Sequence, residues 1–163
     1  LSFGKKNRFN HDDIGWNYRM TNIQATLGLS QLKRIKKIVK NRHSVGLQYY
    51  EKLKKNKNIF IPEPKKYFAK NIYWVVAVLI INKKIKLDAK KVMLKLNKLG
   101  IGTRPFFWPM HKQKILKNLK MYNSPKFTNS EFISKYGFYL PSGLSLKASE
   151  IEYICKKVNL ILK

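Results

Sequence analysis

Acidic residues and cysteine are both scarce in this sequence. Asp and Glu number 8 in 163 residues against 35 Lys and Arg, which leaves a formal net charge of +27. The one cysteine, Cys155, cannot form an internal disulfide or a multi-cysteine metal site, and a lone thiol is typical of a reducing compartment. Ile151, Ile154 and Val158 surround it at helical spacing, so we expect a buried structural thiol and not a nucleophile.

Long apolar runs are absent as well. The longest run, 72–81, is far shorter than the roughly 18 apolar residues that a membrane-spanning helix requires. The hydrophobic share of 44% and the aromatic share of 13% are nevertheless those of a globular domain with a core. We therefore expect a cytoplasmic globular chain without a membrane partner.

Arginine is rare among the positive charges, and this bears on nucleic acid as a partner. Only five of the 35 basic residues are Arg, whose forked guanidinium suits phosphates and bases, and the lysines are spread along the sequence. The excess of lysine could reflect AT-rich coding DNA or a surface that binds polyanions, and the sequence leaves both explanations open. We expect no specific nucleic-acid partner.

The first third of the chain predicts a long helix. Thr21 and Gln24 have the spacing of a capping box, and apolar residues then recur every three or four positions to about Lys55. Beyond this helix the patterns alternate, with strands predicted at 59–62, 71–81, 101–107 and 138–140. Helices are predicted after Asp88 with a stop at Gly100, over 110–119, after a capping box of Thr128 and Glu131, and over 150–162. The predicted fold class is therefore α/β.

The common catalytic motifs are missing from the sequence. It contains no P-loop, no G-x-G-x-x-G and no G-x-S-x-G. His11, His43 and His111 show no metal-ligand spacing with the carboxylates or with Cys155, so no metal site is expected. Composition and spacing alone indicate a basic globular domain.

Three segments carry a more specific signal. Residues 15–25 read GWNYRMTNIQA, which places Asn17 and Arg19 just before a helix N-terminus, where an amide donor and a guanidinium suit carboxylate or phosphate. Residues 99–111 read LGIGTRPFFWPMH, and residues 139–144 read YLPSGL. These segments resemble the signature blocks of the DegT/DnrJ/EryC1/StrS sugar aminotransferase family, in the form typical of its perosamine-synthase-like branch. The resemblance extends over essentially the whole chain.

The resemblance implies a particular place for the chain in a larger protein. It implies the C-terminal small α/β domain of a fold-type-I transferase that depends on pyridoxal 5'-phosphate (PLP), preceded by a long linking helix. It divides the chain into an interface segment, 1–57, and the small domain, 58–163. Because members of the family are homodimers with shared active sites, a second copy of the protein is the expected partner.

The resemblance also implies roles for individual residues. Asn17 is expected to reach the phosphate of PLP in the partner subunit, and Arg19 is expected to line the same site. Arg104, Trp108 and His111 are expected to border the pocket for a nucleotide-sugar substrate. A structural ion pair for Arg104 and ordinary packing for His111 remain the alternatives.

The neighbouring aromatic residues and the activity complete these expectations. Phe106 and Phe107 are either a stacking surface or part of the core. The implied activity transfers an amino group from an amino acid, typically glutamate, to a keto-sugar linked to a nucleotide.

The position of the family's cofactor lysine limits what this chain is expected to do. That lysine precedes the 15–25 motif, and no lysine of this chain lies in a similar motif, so we expect no catalytic residue here and no activity from the chain alone. A PLP-dependent nucleotide-sugar dehydratase and a non-catalytic regulatory relative remain alternatives. A basic nucleic-acid-binding module is the least favoured.

Overall fold

Regular structure opens with the predicted capping box in the computed structural model, which describes residues 16, 18–82, 84–113, 116 and 127–163. The Gln24 backbone N–H donates to Thr21 Oγ1 at 3.3 Å, and the Thr21 backbone N–H donates to Gln24 Oε1 at 2.9 Å. These two bonds satisfy two of the backbone N–H groups that have no partner within the helix at the start of helix α1 (Asn22–Lys33).

The prediction of a single long helix from Thr21 to about Lys55 is wrong. Arg34 leaves the helical region at φ −106°, ψ 4°, and its amide donates to the Gln31 carbonyl at 3.0 Å. A second helix, α2, covers Ile35–Leu53. No Gly or Pro marks the interruption, so the sequence pattern continues across it without a signal.

Internal contacts divide the chain into two compact units, Leu1–Lys36 and Lys37–Lys163. In the first unit, every residue of α1 is exposed. The second unit contains the sheet and the core. The division into an interface segment, 1–57, and a small domain, 58–163, stays a prediction.

The second unit is built on a four-stranded antiparallel sheet. Its strands are β1 (Ile59–Phe60), β4 (Val76–Ile80), β5 (Arg104–Pro105) and β6 (Gly137–Leu140), in the order β1-β4-β6-β5. A separate hairpin joins β2 (Lys65–Lys66) to β3 (Ala69–Lys70). The remaining elements are α3 (Ala89–Asn97), a 3-10 helix (Met110–Lys112), α4 (Thr128–Tyr136) and α5 (Ala148–Ile161). The α/β class is confirmed, with strands that pair antiparallel.

Three strands are shorter than predicted, and the first of them, predicted at 59–62, ends at Phe60. Asn71 Oδ1 accepts a hydrogen bond from the Tyr73 amide at 2.8 Å, and Tyr73 has a positive φ of 50°. This turn keeps residues 71–75 out of the strand predicted at 71–81. The strand predicted at 101–107 is reduced to β5, and the β2–β3 hairpin was not predicted because two-residue strands show no alternation.

The core lies where helices cover the sheet. Alternation along β4 buries Val76, Val78 and Ile80. Buried residues of the helices complete the cluster: Val45, Tyr49 and Leu53 of α2, Val92 and Leu96 of α3, and Ile151, Ile154, Cys155 and Val158 of α5. The expected burial of Cys155 is confirmed, and burial raises the pKa of its thiol to about 12.

The ends of the later helices agree with the prediction at α3 and differ from it at α4. Asp88 Oδ1 accepts from the Lys91 amide at 2.9 Å, and Gly100 has a φ of 75°, as predicted for a cap and a stop. The capping box predicted at Thr128 and Glu131 does not form, because Phe127 is the N-cap residue and makes no side-chain cap. Of the helix predicted at 110–119, the structure shows a 3-10 helix over Met110–Lys112, and all but one of residues 114–119 lie outside the described ranges.

Among the helices that the structure describes, none is both long and apolar enough to cross a bilayer.

Candidate functional site

The two residues expected near the cofactor lie in the first unit. Asn17 falls outside the described residues. Arg19 is exposed and stands two positions before Thr21, the N-cap residue of α1.

Arg104 lies in a groove at the edge of the sheet in the second unit. It belongs to β5, whose residues pair with β6 so that Arg104 stands opposite Tyr139. The cavity has a volume of about 310 Å³, and its lining includes Trp74, Thr103, Arg104, Tyr139 and Ser142. We call it the Arg104 groove. A guanidinium, three hydroxyl groups and an indole ring in one groove can bind an anionic group that is joined to a flat ring.

Two phenylalanines follow β5, and Phe106 is packed whereas Phe107 is exposed. Phe106 packs against the Tyr139 ring at a centroid distance of 4.5 Å, and a methyl group at Gly137 would overlap its ring. Phe107 is 71% exposed, and its ring centroid lies 6.3 Å from that of Tyr139. Burial raises the pKa of Tyr139, so its hydroxyl remains a donor at neutral pH.

Trp108 and His111 belong to a second cluster, held by Glu131 of α4. His111 Nε2 lies 3.1 Å from Glu131 Oε1, and Lys112 Nζ lies 2.8 Å from Glu131 Oε2. The Trp108 indole N–H donates to the Lys112 carbonyl at 3.1 Å, and the His111 ring packs against Phe127 with centroids 4.9 Å apart. The imidazole therefore ties the 3-10 helix to α4.

The charges around Glu131 favour its ionised form. Hydrogen bonding from Lys112, and next from His111, lowers the pKa of this carboxyl group. Trp108, Lys112, Glu131 and Lys135 line a cavity of about 390 Å³ that is separate from the Arg104 groove.

The structure therefore brings some of the expected site residues together and separates others. Trp108 and His111 share one cluster, whereas Arg104 lines another groove, and sequence reasoning missed Trp74, Tyr139 and Glu131. Trp74 carried no signal beyond strand periodicity, whereas Tyr139 opens the 139–144 segment but was given no role of its own. Glu131 carried a signal that was assigned to the wrong partner, since its spacing from Thr128 suits a capping box.

Comparison with known proteins identifies the family. The model of the DegT/DnrJ/EryC1/StrS aminotransferase family matches residues 1–159. The chain belongs to this family. Its aminotransferases depend on PLP, and the solved structures that resemble this chain include a PLP-form of Spr1654 from Streptococcus pneumoniae, with a TM-score of 0.74 at 20% identity.

Curated relatives of this DegT/DnrJ/EryC1/StrS chain include two GDP-perosamine synthases. That of Escherichia coli O157:H7 is 33% identical over 154 residues, covering 91% of this chain and 38% of the relative. That of Vibrio cholerae is 30% identical over 152 residues, covering 93% of this chain and 40% of the relative. The chain thus spans about two fifths of the length of these relatives.

A solved structure supports the fold of this family member. PseC of Helicobacter pylori, an aminotransferase involved in the biosynthesis of pseudoaminic acid, has a TM-score of 0.79 at 24% identity. The match covers 92% of this chain and 39% of that chain, so the described fold corresponds to about two fifths of PseC.

The lysines of the chain provide a test of whether it can hold PLP by itself. The cofactor is bound through an imine, which needs a lysine amine that a buried environment or a neighbouring cation keeps uncharged. Within the described ranges no lysine is buried, and the two that are half-buried, Lys112 and Lys157, contact Glu131 and the Tyr153 ring. None of the described lysines therefore has the burial that such a site requires, and the expectation that this chain lacks the covalent site stays a prediction. The described residues also contain no cluster of three or more His, Cys, Asp or Glu that could hold a metal ion.

Proposed function

We propose that this chain is the C-terminal part of a PLP-dependent sugar aminotransferase. The proposed reaction moves an amino group from an amino acid, with glutamate as the expected donor, to a keto-sugar carried on a nucleotide. The donor becomes a 2-oxo acid while the sugar carbonyl carbon becomes an amine-bearing carbon. The observation that carries this proposal is the family match over residues 1–159, which includes the motif at 15–25.

The Arg104 groove is the proposed contact for the nucleotide-sugar. Arg104 would bind a phosphate oxygen, because its exposed guanidinium shares a groove with hydroxyl donors from Thr103 and Ser142. Trp74 and Tyr139 offer ring faces in the same groove. Trp108 lines the separate cavity beside Glu131, where it offers the face of its indole, since the N–H is already bonded to the Lys112 carbonyl.

His111 has a different proposed role from Arg104. The His111 ring nitrogen contacts Glu131, and the ring packs against Phe127. The side chain therefore holds the 3-10 helix beside the cavity that Trp108 and Lys112 line. His111 would act through Trp108, which that helix holds, and not by direct chemistry on the substrate.

Asn17 and Arg19 are the proposed residues of a site shared between two subunits of a homodimer. Asn17 would donate to the phosphate of PLP bound in the partner subunit, and Arg19 would line the same site. A hydrogen bond to a charged group contributes roughly 1.5–3 kcal/mol, so we expect Asn17→Ala to weaken PLP retention about ten- to hundredfold. Titration of PLP into the apo form of the full-length protein measures this, with Asn97→Ala of α3 as the control. Equal affinities would remove Asn17 from the site.

The proposed reaction is tested with an isotope. The full-length protein is incubated with PLP, 15N-labelled glutamate and a GDP-linked 4-keto-sugar, and the nucleotide product is analysed by mass spectrometry. The aminotransferase gives an amino sugar that carries the 15N label. A deoxy keto-sugar that has lost one oxygen atom and carries no label, with the 15N released as ammonia, indicates a dehydratase, and an unchanged sugar indicates a non-catalytic relative.

The dehydratase is the second candidate because of a specific structural likeness. The Escherichia coli GDP-4-keto-6-deoxy-D-mannose-3-dehydratase, solved with hydrated PLP, has a TM-score of 0.71 at 21% identity. The likeness extends to the fold, and the choice between the two reactions depends on residues outside this chain.

A further inference from the structure

A groove of a different chemical character lies between the ends of α2 and α5. It has a volume of about 560 Å³. Six lysines line it, three from the end of α2 and the adjoining turn and three from α5 and the residues beyond: Lys52, Lys55, Lys57, Lys156, Lys157 and Lys163. We call it the lysine groove. Its two halves are about a hundred residues apart in sequence, so its charge is visible only in the folded chain.

Asparagine side chains hold the floor of the lysine groove in place. Asn56 Nδ2 donates to Asn159 Oδ1 at 2.9 Å, and Asn58 Nδ2 donates to the Leu162 carbonyl at 2.9 Å. Asn82 Nδ2 donates in turn to Asn58 Oδ1 at 2.6 Å. Because these bonds join the turn after α2 to the end of α5, the groove exists before any ligand arrives.

The positive charge of the lysine groove is largely uncompensated. Lys52 faces Glu152 at 3.8 Å, but nowhere in the described ranges is a carboxylate within ion-pair distance of Lys55, Lys57 or Lys156. The C-terminal ends of α2 and α5 each contribute roughly half a negative charge, so with Glu152 they leave an excess of about four positive charges. The helix dipoles therefore account for only a minor part of the lysine content.

Chance is a poor explanation for this concentration of lysine. Of the 35 basic residues five are Arg, so lysine makes up 30 of 163 residues, whereas six of the ten residues lining this groove are lysine. Three further grooves in the described part of the chain have only Lys112 and Lys135 in their linings. Codon drift acts without regard to the folded surface, so it predicts a similar share of lysine in the lining of every groove.

We propose that the lysine groove binds a small polyphosphorylated anion, a ligand with two or more adjacent phosphate groups. Lysine presents compact point charges without the fork of arginine, which suits dense negative charge of variable geometry. A groove of this size falls in the range of roughly 300–1,000 Å³ that holds small ligands. This proposal is independent of the aminotransferase activity.

The experiment titrates inorganic tripolyphosphate into the full-length protein by calorimetry at low salt. The groove variant combines Lys55→Gln, Lys57→Gln and Lys156→Gln. Exposed charge pairs contribute little individually, so three together are expected to weaken binding about tenfold. Tripolyphosphate and ATP are compared to tell a free polyphosphate from a nucleotide, and tight binding of either agrees with the proposal.

Two matched controls separate a site from general charge. Lys90→Gln, Lys91→Gln and Lys95→Gln remove the same charge from α3, outside the groove, and are expected to leave the affinity within about twofold of the wild type. The three lysine-to-arginine changes at 55, 57 and 156 are expected to retain binding.

Three results would overturn the proposal. The first is an equal loss of affinity in the α3 control, which would indicate net charge alone. The second is binding of orthophosphate as tightly as tripolyphosphate. The third is tighter binding of an RNA duplex at equal phosphate concentration, lost in the groove variant, which would make the occupant a nucleic acid.

Discussion

At Gly46 of α2, the usual preference of a helix for alanine over glycine is reversed. Glycine inside a helix is normally less stable than alanine by roughly 0.5–1 kcal/mol. A methyl group at Gly46, however, would overlap the ring of Tyr73, which is buried and donates from its hydroxyl to the Pro62 carbonyl at 3.2 Å. The ring cannot move away freely, because the positive φ of Tyr73 is held by Asn71.

We therefore expect Gly46→Ala to lower the free energy of unfolding by about 1–3 kcal/mol, the usual effect of overpacking. Denaturant-induced unfolding measures the change. Gly28→Ala is the matched control, since Gly28 lies inside α1 with open space around its missing Cβ, and it should be neutral or slightly stabilising. A Gly46→Ala protein more stable than the wild type would show that the Tyr73 ring packs elsewhere.

At the scale of the element, Glu131 attaches α4 to the 3-10 helix. Contacts with Lys112 and His111 lower its pKa below the ordinary value of 4.5, so the ionised form stabilises the fold. A lowered folded pKa gives a contribution that is complete above pH 4.5 and is lost as the pH falls below it. We expect Glu131→Gln to lower the Tm at about pH 7 and to have little effect at about pH 3.

Thermal unfolding at several pH values measures this difference. Because the carboxylate is solvent-exposed, the effect at neutral pH should be modest. Glu63→Gln, which removes one charge from the exposed pair with Lys66, controls for net charge. A difference between Glu131→Gln and the wild type that is the same at both pH values would contradict the ion-pair role.

Helix α1 is the second element with a testable consequence. All its residues are exposed, including Ile23, Leu27 and Leu32, and an exposed apolar surface promotes association. The net charge of +27 opposes association, so we expect the chain to self-associate more strongly as salt screens the charge. Sedimentation at about 50 and 500 mM salt measures this.

Leu27→Ser with Leu32→Ser should abolish this association, whereas Leu94→Ser with Leu160→Ser, exposed residues of α3 and α5, should not. A monomer at every salt concentration would contradict the prediction and leave the family assignment intact.

At the scale of the whole molecule, the chain spans about two fifths of the length of the two GDP-perosamine synthases that it resembles. Because no described lysine is buried, we expect the 163-residue chain to form no stable imine with PLP and to transfer no amino group. Borohydride trapping and peptide mapping together test this, with the full-length protein as the positive control. Stoichiometric PLP on one lysine of this chain would show that the cofactor site has been misplaced.

The sequence by itself determined several features that depend on neighbouring residues, although not the turn at Asn71 or the interruption at Arg34. The cap of α1 at Thr21, the cap of α3 at Asp88 and the stop at Gly100 each depend on hydrogen bonds or backbone geometry within about four positions. The motif at 15–25 indicated the family in the same local way, and the apolar spacing around Cys155 indicated its burial.

Only the tertiary structure decided the features that depend on distant residues. Glu131 binds His111, twenty positions away, and so abandons the local cap that its spacing suggested. Arg104 gains Tyr139 as a neighbour through strand pairing and shares its groove with Trp74, and the lysines at 52–57 and 156–163 meet where Asn56 bonds to Asn159. A long-range contact depends on the path of the whole backbone, and short-range spacing carries no information about that path.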